Sequence, residues 1–177
     1  FDIDIPAEKD LMVLDVLMLA KEQDPSISFR RSCREGVCGS DGLNINGKNG
    51  LGCITPLSDA VKSNKLAIRP LPGLPVIKDL IVDRTPFDRI MQSGGYISVN
   101  TGSAPDGNAI PISQEDALYA FDAAACIGCG ACVAACKNAS ASLFVSAKVS
   151  QLASLPQGQP ERDKRVVAMV DKMDEEG

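Results

Sequence analysis

The sequence predicts an α+β chain in two units: a small mixed unit over residues 1–80 and a helical unit over residues 113–177, joined by a connector at 81–112. Three observations carry that expectation. The seven cysteines fall into two tight groups, Cys33 to Cys53 and Cys126 to Cys136. Apolar residues recur at strand and then helical spacing early in the chain, and at helical spacing alone late in it. Between the two, "RPLPGLPV" and "QSGGYISVNTGSAPDGNAIP" have the composition of boundary and loop.

The elements follow in order. "FDIDIP" at 1–6 alternates apolar and acidic residues as a half-buried strand does. "KDLMVLDVLMLAKEQDPS" repeats Leu, Val and Met at helical spacing until Asp24–Pro25 stops it. "KLAIRPLP" reads as a short strand, and the prolines after it cannot continue a helix or a central strand. Residues 77–90 are expected as a helix or extended connector. Ser113 with Asp116 three residues on marks a helix N-terminus before "ALYAFDAAAC". "SASLFVSAKVSQLASL" and "ERDKRVVAMVDKMDEE" are helical in pattern, separated by the breaker "PQGQP".

The bulk numbers exclude several function classes. A net charge of −5, with both signs mixed along the chain, argues against nucleic acid as a partner, because phosphates require a basic face. There is no His, which removes the commonest general base and the imidazole metal ligand. "FDIDIPAEKD" is not a secretory signal, and the most apolar stretch, Ala123 to Cys136, is too short to span a bilayer. The chain reads as soluble. An odd number of thiols also fits a disulfide framework poorly.

"CIGCGACVAACK" carries the strongest signal. Cys126, Cys129, Cys132 and Cys136 follow CxxCxxCxxxC, in which three thiolates wrap one [4Fe-4S] cube and the fourth ligates a different cluster. Gly128 and Gly130 permit the tight turn this requires. Buried unligated cysteines and a zinc knot are the alternatives, but three thiols at i, i+3 and i+6 suit a cube corner better than separate zinc pairs. Lys137 stands where such runs usually carry Pro.

The first group reads CxxxxCxxDx(11)C. Cys33, Cys38, Asp41 and Cys53 supply four donors, the first three at the spacing of a plant-type [2Fe-2S] site. Gly36, Gly39 and Gly42 alternate with them, as expected of a backbone curling around sulfur. Asp41 before Gly42 also suits an Asx turn, but its place in the spacing favours a ligand or near-ligand. Arg30, Arg31 and Arg34 offer either a solvated basic edge or compensation of cluster charge.

With both groups in view, "SFRRSCREGVCGSDGLNINGKNGLGCITP" and "IRPLPGLPVIKDLIVD" resemble the iron-sulfur subunit of succinate dehydrogenase and fumarate reductase. The resemblance covers nearly the whole chain. It implies a β-grasp plant-type ferredoxin domain followed by a truncated α-helical ferredoxin domain. It assigns [2Fe-2S] to Cys33, Cys38, Asp41 and Cys53, [4Fe-4S] to Cys126, Cys129 and Cys132, and part of [3Fe-4S] to Cys136. The family's remaining ligands lie in a later segment and its first strand precedes Phe1, so the protein is expected to extend at both ends.

The family relays electrons from an FAD-containing flavoprotein subunit through the three clusters to quinone at membrane anchor subunits. That implies peripheral attachment at the cytoplasmic side of a bacterial inner membrane. No acid-base or nucleophilic residue is expected on this chain. "KNASASLF" replaces the Pro-Ser and tryptophan with which many members build the quinone pocket. The alternatives are the iron-sulfur subunit of another type of fumarate reductase and a free two-cluster ferredoxin.

Overall fold

The computed structural model describes residues 2–4, 10–103, 106–109 and 112–176. Two units are distinguished, the first formed by residues 1–83 with 128–137 and the second by 84–127 with 138–177. The fold is α+β, with all the strands in the first unit.

In the first unit, helix α1 (Val13–Gln23) starts where the Asp15 carboxylate accepts the Met12 amide at 2.8 Å. It ends at Asp24, as the sequence leads one to expect before Pro25. Its start is tied down by two backbone bonds, Val13 N to Thr55 O and Leu14 N to Gly52 O. Val13, Leu14, Val16, Leu17 and Ala20 form its buried face. Strands β1 (Gly42–Ile45) and β2 (Lys48–Leu51) make an antiparallel hairpin. Asn46 and Gly47 turn it with φ of 48° and 86°, the left-handed pair that a two-residue hairpin demands. Leu43 and Ile45 alternate inward from β1.

A short helix, α2 (Leu57–Ala60), follows, and β3 (Ile68–Arg69) completes the sheet on the other edge of β1 in the order β2-β1-β3. Strand β3 is the one expected from "KLAIRPLP". Strands β4 (Val76–Lys78) and β5 (Ile81–Val82) form a separate antiparallel pair. Residues 2–4 pair with no strand, and Phe1, Ile5 and Pro6 of the expected first strand lie outside the described residues.

The second unit is helical. Segment 81–112, expected as a connector, carries α3 (Thr85–Gly94), which packs on α7 (Arg162–Glu176). Helix α4 (Gln114–Ala124) begins as anticipated, the Ser113 hydroxyl accepting the Asp116 amide at 3.0 Å. It packs on α6 (Ser142–Ala153), and α6 on α7. A single 3₁₀ turn, Gln159–Glu161, follows Gly158, whose φ of 84° breaks the chain direction within "PQGQP". In sequence between the two segments of the second unit, the short helix α5 (Ala131–Ala135) belongs to the first.

The helical core centres on Phe144 and Met169, both essentially sealed from solvent. Phe87 meets Phe144 with ring centroids 4.5 Å apart and tilted. Beside this core, Glu161 takes the Ser98 hydroxyl and, at 3.3 Å, the Ser98 amide. The Ser98 hydroxyl is the largest of the influences that hold the Glu161 carboxyl below its ordinary value. A carboxylate lowered by folding contributes stability that is complete above its unfolded pKa and lost as pH falls through the folded one. Ser98→Ala is therefore expected to be less stable than the parent at pH 7. The difference should shrink as the medium is acidified below the usual glutamate range, as read by urea unfolding at several pH values.

Candidate iron-sulfur sites

Residues 32–38 form a run of bends with no regular element, and their backbone is shaped by left-handed φ at Arg34 (64°) and Gly36 (74°). The consequence is that amides turn inward onto sulfur. Glu35, Val37 and Cys38 donate their N–H groups to Cys33 Sγ at 3.5, 3.4 and 3.3 Å. Ser40 N lies 3.5 Å from Cys38 Sγ, and the Ser40 hydroxyl 3.1 Å from it. The contacts at Cys38 favour thiolate over thiol. The Ser40 hydroxyl and amide, and then Cys33, draw the Cys38 thiol down to about 6.

The other half of the loop is held differently. Asp41 is only 3% exposed, and its Oδ2 accepts the Cys53 amide at 2.6 Å across the start of the hairpin. Its backbone carbonyl takes Gly52 N at 3.2 Å, fixing the approach of the two segments. Burial pushes the Cys53 thiol up to about 11, and the facing Asp41 carboxylate adds to the effect, against an opposing bond from the Gly36 backbone. A cationic group placed here would reverse that pressure by stabilising both anions.

The four residues singled out by spacing are thus brought together as two neighbouring pairs, Cys33 with Cys38 and Asp41 with Cys53. Among the described residues no three carboxylate or thiol side chains close on one position for a single metal ion. Two pairs of thiol and carboxylate donors, with amides turned onto Cys33 and Cys38, instead suit a two-iron group, which divides four ligands between its metals. Arg30 Nη1 donates to Val82 O at 2.8 Å. Arg31 and Arg34 are exposed. Ser40, which the sequence analysis passes over, becomes part of the site; a hydroxyl two residues after a ligand cysteine is the signal that marks it.

The second run leaves α4 in a turn, Cys126 N bonding Ala123 O at 3.3 Å, and Lys148 Nζ donates to Cys126 O at 2.9 Å. Gly128 and Gly130 adopt φ of 68° and 81°. Cys129 follows in the loop, Cys132 lies in α5, and Cys136 closes that helix with its amide on the carbonyls of Cys132 and Val133, both at 3.1 Å. No disulfide links any of the seven cysteines, all of which are described. In the first unit, α5 packs against β2, and Asn49 Nδ2 donates to Ala131 O at 3.4 Å.

Comparison with known proteins places an iron-sulfur domain over each cysteine group. Residues 2–89 match the 2Fe-2S iron-sulfur cluster binding domain and residues 119–139 the 4Fe-4S binding domain. The succinate dehydrogenase iron-sulfur subunit of Coxiella burnetii is 41% identical over 142 residues, covering 78% of this chain and 57% of that one. The mitochondrial succinate dehydrogenase [ubiquinone] iron-sulfur subunit 1 of Oryza sativa subsp. japonica is 45% identical over 129 residues, covering 72% of this chain and 45% of its own length. A chain of the Mycobacterium smegmatis Sdh1 complex in the apo form shares the fold, with a TM-score of 0.62 at 22% identity, over 94% of this chain and 66% of that chain. The chain thus spans roughly half the length of these curated relatives. It is a homologue of the succinate dehydrogenase iron-sulfur subunits, with a [2Fe-2S]-binding domain followed by a [4Fe-4S]-binding domain.

Proposed function

We propose that this chain is the electron-transfer subunit of a succinate:quinone oxidoreductase. Cys33, Cys38, Asp41 and Cys53 hold [2Fe-2S]. Cys126, Cys129 and Cys132 give three ligands of [4Fe-4S], and Cys136 is one ligand of a [3Fe-4S] group. The observation that carries this reading is the convergence of Cys33 with Cys38 and of Asp41 with Cys53, with backbone amides turned onto Cys33 sulfur, alongside a second, thiol-rich run in the same chain. Two such centres make a relay, and a relay needs a donor and an acceptor outside itself.

When bound, the clusters supply one-electron redox chemistry. The chain's own residues set ligand charge, exclude water and tune potential through hydrogen bonds to sulfur. In this reading electrons arrive from an FAD-containing flavoprotein subunit that oxidises succinate, and leave to quinone at a membrane anchor. The chain is then peripheral on the cytoplasmic side of a bacterial inner membrane. Among the described residues no helix is long and apolar enough to cross a membrane, so attachment falls to the anchor subunits.

Metal and acid-labile sulfide analysis of the purified protein tests the clusters, and zinc without sulfide would overturn them. Quinone-coupled assays with succinate and with fumarate on the purified complex test the activity and its direction. A finer expectation concerns Ser40. Its hydroxyl faces Cys38 Sγ, and a hydrogen bond to a ligand sulfur stabilises the more negative, reduced state. Ser40→Ala is expected to retain [2Fe-2S] while lowering its midpoint potential by some tens of millivolts in a redox titration followed by electron paramagnetic resonance.

A further inference from the structure

We propose that the Cys38–Gly39 peptide, seated on the backbone of Cys129, is the bridge over which an electron passes between the two iron-sulfur groups, with Gly39 as its positioning residue. This rests on the assignment of Cys38 and Cys129 as ligands of different clusters. Gly39 is buried, with φ of +67°, and a Cβ placed on it would stand 2.9 Å from Cys129 Cα, 3.0 Å from its Cβ and 3.1 Å from its N. Nothing but bare backbone fits there. Three residues on, a Cβ at Gly42 would lie 3.1 Å from Cys129 O. Two glycines flanking Asp41 thus receive the same residue of the second run.

The apposition is braced on more than one side. Asn49 of β2 holds the Ala131 carbonyl, and the Leu71 side chain approaches both Gly42 and Gly130. The route from one thiolate to the other is short and mostly covalent: Cys38 Sγ through its side chain and peptide to Gly39, one van der Waals step, then Cys129 Cα, Cβ and Sγ. Such a step moves a single electron. The centre held by Cys38, first reduced by a flavin, is oxidised by one electron and the centre held by Cys129 is reduced by one. No bond is made or broken and no proton is carried.

Left-handed φ alone would also account for a glycine at 39, and Gly47 separates the two explanations. Its φ of +86° is as demanding, yet a Cβ there meets nothing within 4 Å. The experiment compares Gly39→Ala, Gly42→Ala and Gly47→Ala with the parent, each as the full-length protein purified anaerobically with its clusters. Three quantities are read: iron and acid-labile sulfide, the mutual broadening of the two reduced centres' paramagnetic resonance signals, and the rate at which an electron delivered to the first centre by photoreduced flavin reaches the second.

Gly39→Ala and Gly42→Ala should keep both signals but show a several-fold slower transfer and weaker broadening, while Gly47→Ala matches the parent in all three. An unchanged rate and broadening in both of the first two variants overturns the bridge and leaves the cluster assignment standing. Should Gly39→Ala lose the first centre, Gly42→Ala decides by the same criteria, since position 42 imposes no left-handed strain. Parent protein without iron and sulfide sinks the cluster assignment itself.

Discussion

Asp41→Ala is expected to strip the first iron-sulfur group from the protein and leave the second in place. Asp41 combines three properties that alanine removes together. It is buried, it is the one carboxylate of the proposed ligand set, and its Oδ2 accepts the Cys53 amide at 2.6 Å. Loss of that acceptor leaves a buried N–H unpaired, which costs about 1–3 kcal/mol, and frees Cys53 from the orientation that sets it against the cluster. Loss of the charge leaves two irons with three thiolates where four donors are required. Asparagine separates the two roles, because its amide oxygen still accepts from Cys53 N but brings no negative charge. If Asp41 binds iron, Asp41→Asn loses cluster content almost as alanine does. Asp41→Cys restores an anion and is expected to retain [2Fe-2S] with a shifted spectrum and potential. The measurements are iron and sulfide content, visible absorption and electron paramagnetic resonance. Full content at an unchanged potential in Asp41→Ala would falsify the ligand assignment.

What could be read from the chain before its structure follows a physical division. Helices with their own stop and start signals were legible: α1 ends before Pro25, α4 begins at Ser113 with Asp116, and α7 follows Gly158 and Pro160. Helix α3 was expected only as one option within a connector, since it buries just Phe87 and Ile90 and draws its stability from α7, far along the sequence. The β1–β2 hairpin lies inside the cysteine loop, where Asn46–Gly47 carries its turn signal beneath a stronger ligand pattern. The proposed donors rest on spacing, because covalent chain length limits which thiols can share a cluster. The direction of the amides, the Ser40 hydroxyl and the apposition of Gly39 to Cys129 depend on backbone conformation and long-range packing. The bond from Arg30 to the Val82 carbonyl likewise depends on long-range packing that no local pattern announces.

Arg165→Ala is expected to destabilise the helical unit more than any exposed substitution in it. Arg165 is 5% exposed, and three acceptors surround its guanidinium. Nε donates to Gly94 O at 3.0 Å, and Nη2 to Tyr96 O at 3.3 Å and Glu161 Oε2 at 3.2 Å. The two carbonyls belong to the C-terminal end of α3 and the segment after it, where a helix leaves its last carbonyls without intrahelical partners. A positive charge at that end also opposes the helix dipole favourably. Alanine leaves both carbonyls and the Glu161 oxygen short of a donor in a site whose walls include Gly94, against which the Arg165 stem is already packed at 2.9 Å from a notional Cβ. Losing three donors at once from these part-buried acceptors costs more than losing an exposed pair such as Arg89 with Glu176. Arg165→Lys keeps the charge but cannot fork between three acceptors, so it is expected to recover only part of the loss. Urea unfolding followed by far-ultraviolet ellipticity measures all three variants. Equal midpoints for Arg165→Ala and Arg89→Ala would show that the buried guanidinium is no more important to this unit than a surface charge.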